Sequence, residues 1–154
     1  MSTLEIGRKA PEFSLLDSKQ KKHALSDYQG QWLILFFYPK DNTPGCTIEA
    51  CQFRDDYAEL LAMNTAILGI NTDNSESHGH FINKQQLPFP LLSDETGTIS
   101  KQYGCLFKLG PIKFCKRHSF IIDPQGNIAK IYRKVKPVKH SQQIIADLKV
   151  LQNK

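Results

Sequence analysis

The sequence predicts an α/β fold in which a central mixed β-sheet is flanked by helices and preceded by an N-terminal hairpin. Residues 33–38 and 66–70 are continuous apolar runs without polar alternation, a pattern typical of strands covered on both faces. A helical stretch over 44–60 separates them, and a strand–helix–strand unit implies parallel pairing. With 154 residues, 40% of them hydrophobic, the chain is expected to form a single domain over 1–154.

Local patterns supply the other elements. In chain order these are a hairpin of 12–16 and 23–25, a helix over 75–84, a short strand over 89–92, a helix over 96–103, a hairpin of 118–123 and 127–132, and a final helix from Ser141. The first hairpin rests on alternation around a polar turn, and the second on the turn residues 124–126, Pro-Gln-Gly. The final helix presents Ile144, Leu148 and Leu151 on one apolar face.

Charge and hydropathy exclude several functional classes. Lysine and arginine exceed acidic residues by 20 to 15, but the excess is scattered, and the clusters at 19–22 and 133–136 lack interleaved aromatics. We therefore expect no nucleic-acid partner. The longest apolar run, 32–38, is too short to span a bilayer, and residues 1–9 lack the apolar core of a signal peptide. Four sparse cysteines suit a reducing compartment, so a cytoplasmic protein without a membrane partner is expected.

The cysteines Cys46 and Cys51 point to redox chemistry. Thr43 is a candidate N-cap with Pro44 at the first helical position, so Cys46 falls in the first turn of a helix. The unpaired N–H groups and positive dipole end of that turn favour the thiolate, which is the nucleophilic form of cysteine. In a regular helix the Cα atoms of the two cysteines lie roughly 8 to 9 Å apart, beyond the usual disulfide limit of about 7 Å. A bond between them requires local unwinding, which indicates a switch rather than a structural disulfide.

A peroxide reductase needs a thiolate, groups that polarise the O–O bond, and a second thiol that captures the sulfenic acid. Cys46 can supply the thiolate and Thr43 a hydroxyl that bonds the sulfur or the peroxide, while Pro39 and Pro44 can shield the site from water. Arg117, just before a predicted strand, can supply two guanidinium donors, although spacing alone does not place it near Cys46.

The segment from Phe37 to Thr47, FYPKDNTPGCT, resembles the active-site loop of the peroxiredoxins, and with Cys51 it is similar to the bacterioferritin comigratory protein or peroxiredoxin Q group. Further matching segments are GRKAPEF at 7–13, LLSD at 91–94 and RHSFIID at 117–123. The resemblance implies a thioredoxin-like fold, with Cys46 peroxidatic, Cys51 resolving within the chain, and Thr43, Pro39 and Arg117 completing the site.

The same resemblance implies reduction of hydrogen peroxide and organic hydroperoxides, recycling by thioredoxin or a related dithiol, and no metal, haem or flavin cofactor. Because resolution within one chain needs no second subunit, a monomer is expected.

Other interpretations stay open at this point. Cys105 and Cys115 are extra thiols that fit core or loop positions, although the closeness of Cys115 to Arg117 leaves open which thiol resolves first. A thiol-disulfide oxidoreductase of the same fold is the main alternative, but it would normally use a CxxC motif, which is absent. A non-enzymatic binding protein or chaperone is a third. The spacing of His78, His80 and His118 matches no familiar zinc site.

Overall fold

The computed structural model describes residues 4–154 and contains nine strands, five α-helices and one 3₁₀ helix in that range. The elements are β1 (Ser14–Asp17), β2 (Lys22–Ala24), a 3₁₀ helix (Leu25–Tyr28), β3 (Trp32–Phe37), α1 (Pro44–Asp55), α2 (Tyr57–Ala62), β4 (Thr65–Asn71), α3 (Ser75–Gln85), β5 (Leu91–Ser93), α4 (Thr98–Gln102), β6 (Leu106–Leu109), β7 (Ile112–Cys115), β8 (His118–Ile122), β9 (Ile128–Tyr132) and α5 (His140–Gln152).

Seven strands form one mixed sheet in the order β2-β1-β5-β4-β3-β8-β9. Strand β3 pairs parallel with β4 and β4 parallel with β5, whereas β3 pairs antiparallel with β8 and β8 antiparallel with β9. The N-terminal hairpin joins this sheet because β1 pairs with β5 as well as with β2. The expected mixed α/β architecture, the parallel β3–β4 unit and both predicted hairpins are confirmed.

The apolar run of β3 is buried on both faces of the sheet. Its even-numbered residues, such as Ile34 and Phe36, pack with Ala50 of α1 and Leu148 of α5. Its odd-numbered residues belong to a second cluster that includes Phe120, Tyr103 and both Cys105 and Cys115. Because successive side chains of a strand point to opposite faces, a strand between two layers must be apolar throughout.

The helix expected over 44–60 is wrong in one respect, because it breaks at Asp56 into α1 and α2. The Asp56 backbone leaves the helical region (φ −97°, ψ 6°). Its carboxylate instead accepts hydrogen bonds from Ser141 Oγ at 2.6 Å and Gln142 Nε2 at 2.8 Å, at the start of α5. A tertiary contact with α5 thus accompanies the break.

Two further differences concern short strands. The strand expected over 89–92 begins only at Leu91, since Pro90 has no N–H to donate to a neighbouring strand. The hairpin of β6 and β7 was not predicted at all, and it forms a separate two-stranded sheet. Its two-residue turn, Gly110 and Pro111, has Gly110 at φ +58°, a conformation that glycine adopts without strain.

Candidate active site

Cys46 lies buried in the first turn of α1, directly after the loop that leaves β3. Thr43 occupies the N-cap position with extended backbone, and Pro44 opens the helix. The N–H groups of Gly45 and Cys46 belong to the first turn and therefore have no acceptor within the helix. The sulfur of Cys46 thus sits where backbone donors and the helix dipole favour negative charge.

Arg117 reaches this sulfur from the position just before β8, the antiparallel neighbour of β3. Because Phe37 is opposite His118 in the register, Arg117 lies at the end of β3 where the loop to α1 begins. Its Nη2 donates to Cys46 Sγ at 3.4 Å, and its Nη1 donates to Glu49 Oε1 at 2.9 Å. A Cβ at Gly45 would lie 3.0 Å from Nη2, so glycine there leaves room for the guanidinium. One guanidinium therefore contacts both Cys46 and Glu49.

Glu49 is a buried carboxyl group one helical turn after Cys46. Burial raises its pKa to about 7, although the Arg117 guanidinium opposes that shift. Its Oε2 finds no hydrogen-bond partner among the described residues and lies 4.0 Å from His140 Nε2. Burial, together with the charge of Arg117, lowers the pKa of His140 to about 4, so this imidazole is neutral near pH 7. Glu49 can thus hold a proton one helical turn from the Cys46 sulfur.

The pKa of Arg117 reflects its contacts with Glu49 and Cys46. Burial lowers this pKa, but the charges and hydrogen bonds of Glu49 and Cys46 more than offset that effect, so it lies above its ordinary value. Arg117 is therefore cationic throughout the physiological range. Glu49 and Cys46 both contact the Arg117 guanidinium. When Glu49 is protonated, it no longer neutralises this cation, which then interacts more strongly with the Cys46 sulfur.

Thr43 and Pro39 border the site in different ways. Thr43 is the N-cap residue of α1, as expected, but its side chain makes no capping hydrogen bond; the hydroxyl donates to the Lys40 carbonyl at 2.8 Å instead. Its oxygen keeps lone pairs that can accept a hydrogen bond from a hydroperoxide. Pro39 lies on the wall of a cavity of about 290 Å³ whose lining does not include Cys46.

Cys51 points from α1 towards α3 and is half-buried. Its Sγ donates to Gln85 Oε1 at 3.4 Å, and the Gln85 carbonyl accepts from Arg54 Nη1 at 2.7 Å. Both Cys46 and Cys51 are free thiols within one continuous helix. A disulfide between them therefore requires the N-terminal half of α1 to unwind and the Gln85 contact to break.

Cys105 and Cys115 lie in the core on the other face of the sheet, as expected for packing thiols. Burial raises the pKa of Cys115 to about 12 and also raises that of Cys105. Cys115 Sγ lies 3.1 Å from Ser100 Oγ, and Cys105 Sγ donates to the Tyr103 carbonyl at 3.4 Å. Both thiols are protonated at neutral pH and poor nucleophiles.

A buried polar network fixes the loop between β3 and α1. Asp41 accepts hydrogen bonds from Tyr38 Oη at 2.6 Å, His78 Nδ1 at 2.7 Å and Ser77 Oγ at 2.7 Å. His78 is fully buried, and its Nε2 lies 3.1 Å from the Leu92 carbonyl. Both ring nitrogens of His78 therefore face acceptor oxygens. The network ties the loop to α3 and β5.

Sequence reasoning missed Glu49, Asp41, His78 and His140. Glu49 had a detectable signal, because position i+3 from Cys46 lies on the same helical face. The other three had none in their spacing, since the partners of His78 and His140 are 37 and 21 residues away in the chain.

Glu49→Gln is expected to change how stability depends on pH. Because the folded pKa of Glu49, about 7, lies above its ordinary value of 4.5, the folded state binds more protons between these values. The stability that this group contributes is complete below about pH 4.5 and is lost as pH rises through 7. The free energy of unfolding of the wild type, relative to Glu49→Gln, should therefore fall over this window.

Urea unfolding of both proteins from pH 4.5 to 8 measures this difference, and the subtraction cancels the opposing titration of His118, which does not contact Glu49. The exposed variant Glu76→Gln serves as the control. A difference that is flat or rises with pH would show that Glu49 is ionised throughout.

No helix in residues 4–154 combines the length and apolar character needed to cross a bilayer. Across the same part of the chain, His, Cys, Asp and Glu side chains form no group of three or more suited to a metal ion.

Comparisons with known proteins place this architecture among characterised relatives. The AhpC/TSA family model matches residues 6–131. Peroxiredoxin Bcp of Bacillus subtilis is 39% identical over 158 residues, covering 99% of each chain, and that of Escherichia coli K12 is 38% identical over 153 residues, covering 97% of this chain and 98% of the relative.

Solved structures agree with the sequence comparisons. Peroxidoxin BcpB of Mycobacterium tuberculosis superposes with a TM-score of 0.90 at 30% identity, covering 96% of this chain and 98% of its own. A cysteine-to-serine variant of PrxQ from Xylella fastidiosa gives a TM-score of 0.91 at 32% identity and 99% coverage of both chains. The predicted thioredoxin-like fold is confirmed by these neighbours.

Proposed function

Because this chain belongs to the AhpC/TSA family and is a peroxiredoxin, a thiol-dependent peroxidase, we propose that Cys46 is its peroxidatic cysteine and Cys51 its resolving cysteine. The observation that carries the assignment of Cys46 is its 3.4 Å contact with Arg117 Nη2 inside a buried first helical turn. Burial raises the pKa of both Cys105 and Cys115, and at Cys105 it outweighs the opposing effect of Arg133 and Lys116.

In the first step the Cys46 thiolate attacks the terminal oxygen of a hydroperoxide. The S–O bond forms as the O–O bond breaks, Cys46 becomes a sulfenic acid, and the departing alkoxide or hydroxide takes a proton from water. Arg117 stabilises the thiolate before attack and the leaving oxygen as charge develops on it. Thr43 Oγ accepts the hydrogen bond of the peroxide O–H and so orients the attacked oxygen.

In the second step the Cys51 thiol attacks the sulfenic sulfur. The S–S bond forms and water leaves, after the first turns of α1 have unwound and Cys51 has left Gln85. A dithiol then reduces the disulfide by thiol–disulfide exchange, which returns two electrons to the site. We propose thioredoxin or a related protein as that dithiol.

Members of this family act on peroxides with a thiol reductant. The bacterioferritin comigratory protein of Xanthomonas campestris, 30% identical with a TM-score of 0.87, has been described by its alkyl peroxide reduction activity. This supports organic hydroperoxides as well as hydrogen peroxide as substrates here. We further propose that the chain is a single domain that acts in the cytoplasm. We propose a monomer because both reacting cysteines lie in one helix, so resolution needs no second subunit.

One equivalent of hydrogen peroxide added to the reduced protein should produce a Cys46–Cys51 disulfide, identified by peptide mass spectrometry. Cys46→Ser should lower peroxide consumption by at least about 1000-fold because the nucleophile is lost. Cys51→Ser should leave the first step intact but stop at the sulfenic acid, which excess peroxide oxidises further.

Cys105→Ala is the matched control and should retain turnover. An intramolecular disulfide in Cys51→Ser would assign resolution to another thiol, whereas peroxide consumption by Cys46→Ser would remove Cys46 from the site. Reduction of insulin disulfides at a rate equal to peroxide turnover would favour the thiol-disulfide oxidoreductase instead.

A further inference from the structure

The hairpin of β6 and β7 is amphipathic and pairs with no other strand. Its register places Phe107 opposite Phe114 and Leu109 opposite Ile112, so these four side chains share one face. The rings of Phe107 and Phe114 stack, with their centroids 4.7 Å apart. The hairpin thus presents a continuous apolar face.

Apolar exposure increases towards the turn of this hairpin. Phe107 is 37% exposed, Ile112 58% and Leu109 67%, and the turn residues Gly110 and Pro111 are also exposed. A flat protein interface has an apolar centre and a polar rim. Here the most exposed apolar side chains project at the end of an element, which is the shape of an insertion tip.

Two lysines lie one residue behind this tip and directly opposite each other. Lys108 pairs with Lys113 in the register, an arrangement that is destabilising between neighbouring strands. Neither approaches a carboxylate at ion-pair distance within the part of the chain described. The unfavourable pair is explained if an anion lies between the two ammonium groups.

The chain segment that contains the hairpin carries charge of a single sign, while Asp73, from the loop after β4, lines the cavity beside Lys113. Residues 96–122 contain no aspartate or glutamate and include Lys101, Lys108, Lys113, Lys116 and Arg117. Of these cations, Arg117 is occupied by Cys46 and Glu49. A cationic collar behind an apolar tip matches the interface of an anionic membrane, where apolar groups enter the acyl region and lysines meet the phosphates.

We propose that the tip of this hairpin, residues 108–113, binds the surface of anionic phospholipid membranes. Lys108 and Lys113 lie on the face of the hairpin opposite Leu109 and Ile112, so a contact between two copies through the apolar face would leave these lysines unused, and the oligomeric state measured below distinguishes the two occupants. The earlier expectation of no membrane partner rested on the lack of a spanning segment, which a peripheral contact does not need. This contact places the cavity between Ile112, Phe114 and Pro39 at the membrane, beside the active-site loop.

Co-sedimentation with lipid vesicles tests the binding. The wild type should bind vesicles rich in phosphatidylglycerol, bind phosphatidylcholine vesicles weakly, and dissociate as salt is raised. Leu109→Ser and Lys108→Ser should each lower the partition coefficient by about fivefold or more. The controls are Val150→Ser, whose side chain is 61% exposed on α5, and Lys21→Ser in the β1–β2 turn, and both should bind as the wild type does.

Insertion of the tip has a second readout. In Leu109→Trp the new indole should be quenched by brominated acyl chains, whereas Trp32, the single native tryptophan, should not be. The proposal is overturned if the wild type binds neither vesicle, if the control variants lose binding equally, or if brominated lipid leaves Leu109→Trp unquenched. It is also overturned if the wild type is a dimer that Leu109→Ser dissociates.

Membrane binding by the hairpin does not depend on the proposed peroxide chemistry. Reduction of a hydroperoxide held in the membrane rests on that chemistry. Leu109→Ser should retain turnover of a water-soluble hydroperoxide and lose turnover of a phospholipid hydroperoxide held in anionic vesicles. A wild type that binds vesicles but turns over neither hydroperoxide would count against the proposed chemistry. A wild type that turns over the water-soluble hydroperoxide but binds no vesicles would leave that chemistry standing.

Discussion

Arg117→Ala is expected to lower kcat/KM for hydrogen peroxide by about 100- to 1000-fold, the range seen when a donor to a developing oxyanion is removed. There are two reasons. Arg117 Nη2 contacts the Cys46 sulfur, and in the proposed mechanism the same group stabilises the leaving oxygen. Stopped-flow measurement of the first oxidation step, followed by the fluorescence of Trp32 or by coupled peroxide assay, checks the rate.

Arg117→Lys is expected to lose less, about 10-fold or more, because an ammonium group cannot form the planar two-donor contact with Cys46 and Glu49. Lys116→Ala, which removes the adjacent exposed cation, is the control and should be close to wild type. Turnover by Arg117→Lys equal to that of the wild type would remove Arg117 from the site.

Stability must be separated from catalysis in these variants, since Arg117→Ala leaves Glu49 buried without its cation. The double variant Arg117→Ala/Glu49→Gln removes that unpaired acid. It should recover stability relative to Arg117→Ala but not activity. Recovery of both would mean that the loss of activity came from misfolding of the site.

Asp41→Ala is expected to lower the free energy of unfolding by about 3 to 5 kcal/mol, because three donors lose their shared buried acceptor and each unsatisfied buried group costs about 1 to 3 kcal/mol. The substitution strands the buried His78 ring and removes the acceptor of Tyr38 Oη and Ser77 Oγ. Because Asp41 also anchors the loop that carries Thr43, peroxide turnover should fall as well, by about 10-fold. Urea unfolding and steady-state kinetics measure the two effects.

Asp55→Ala is the matched control. Asp55 pairs with Arg54 at the surface, so this substitution should lower the free energy of unfolding by less than about 1 kcal/mol.

The pH dependence of stability gives a further check with Asp41→Asn, which keeps the shape of the side chain. Burial raises the pKa of Asp41, but its hydrogen bonds and the charge of His78 outweigh this and lower it below 3.8. The stabilisation is therefore present above that pH and lost as pH falls through the lower folded value. An unchanged difference between wild type and Asp41→Asn in strong acid would contradict this assignment.

Local sequence determined the interior strand, the start of the helix that carries Cys46 and the second hairpin, because each depends on residues close together in the chain. The run over 33–38 had to be an interior strand because it offers no polar face to water, and the structure buries it between two apolar layers. The position of Cys46 in a first helical turn followed from Thr43 and Pro44, which are suited to begin a helix. The pairing of 118–123 with 127–132 followed from the turn residues between them.

Only the tertiary structure decided which distant groups meet these local features. Arg117 reaches Cys46 because the β3–β8 register brings the start of one strand to the end of the other, and register depends on packing across the whole sheet. The contacts of Asp41 with His78 and of Asp56 with Ser141 join residues 37 and 85 positions apart, which no local propensity encodes. Sequence therefore determined where Cys46, the proposed nucleophile, lies and in what local setting. Packing determined its charge environment, since electrostatic interactions depend on distance in space rather than along the chain.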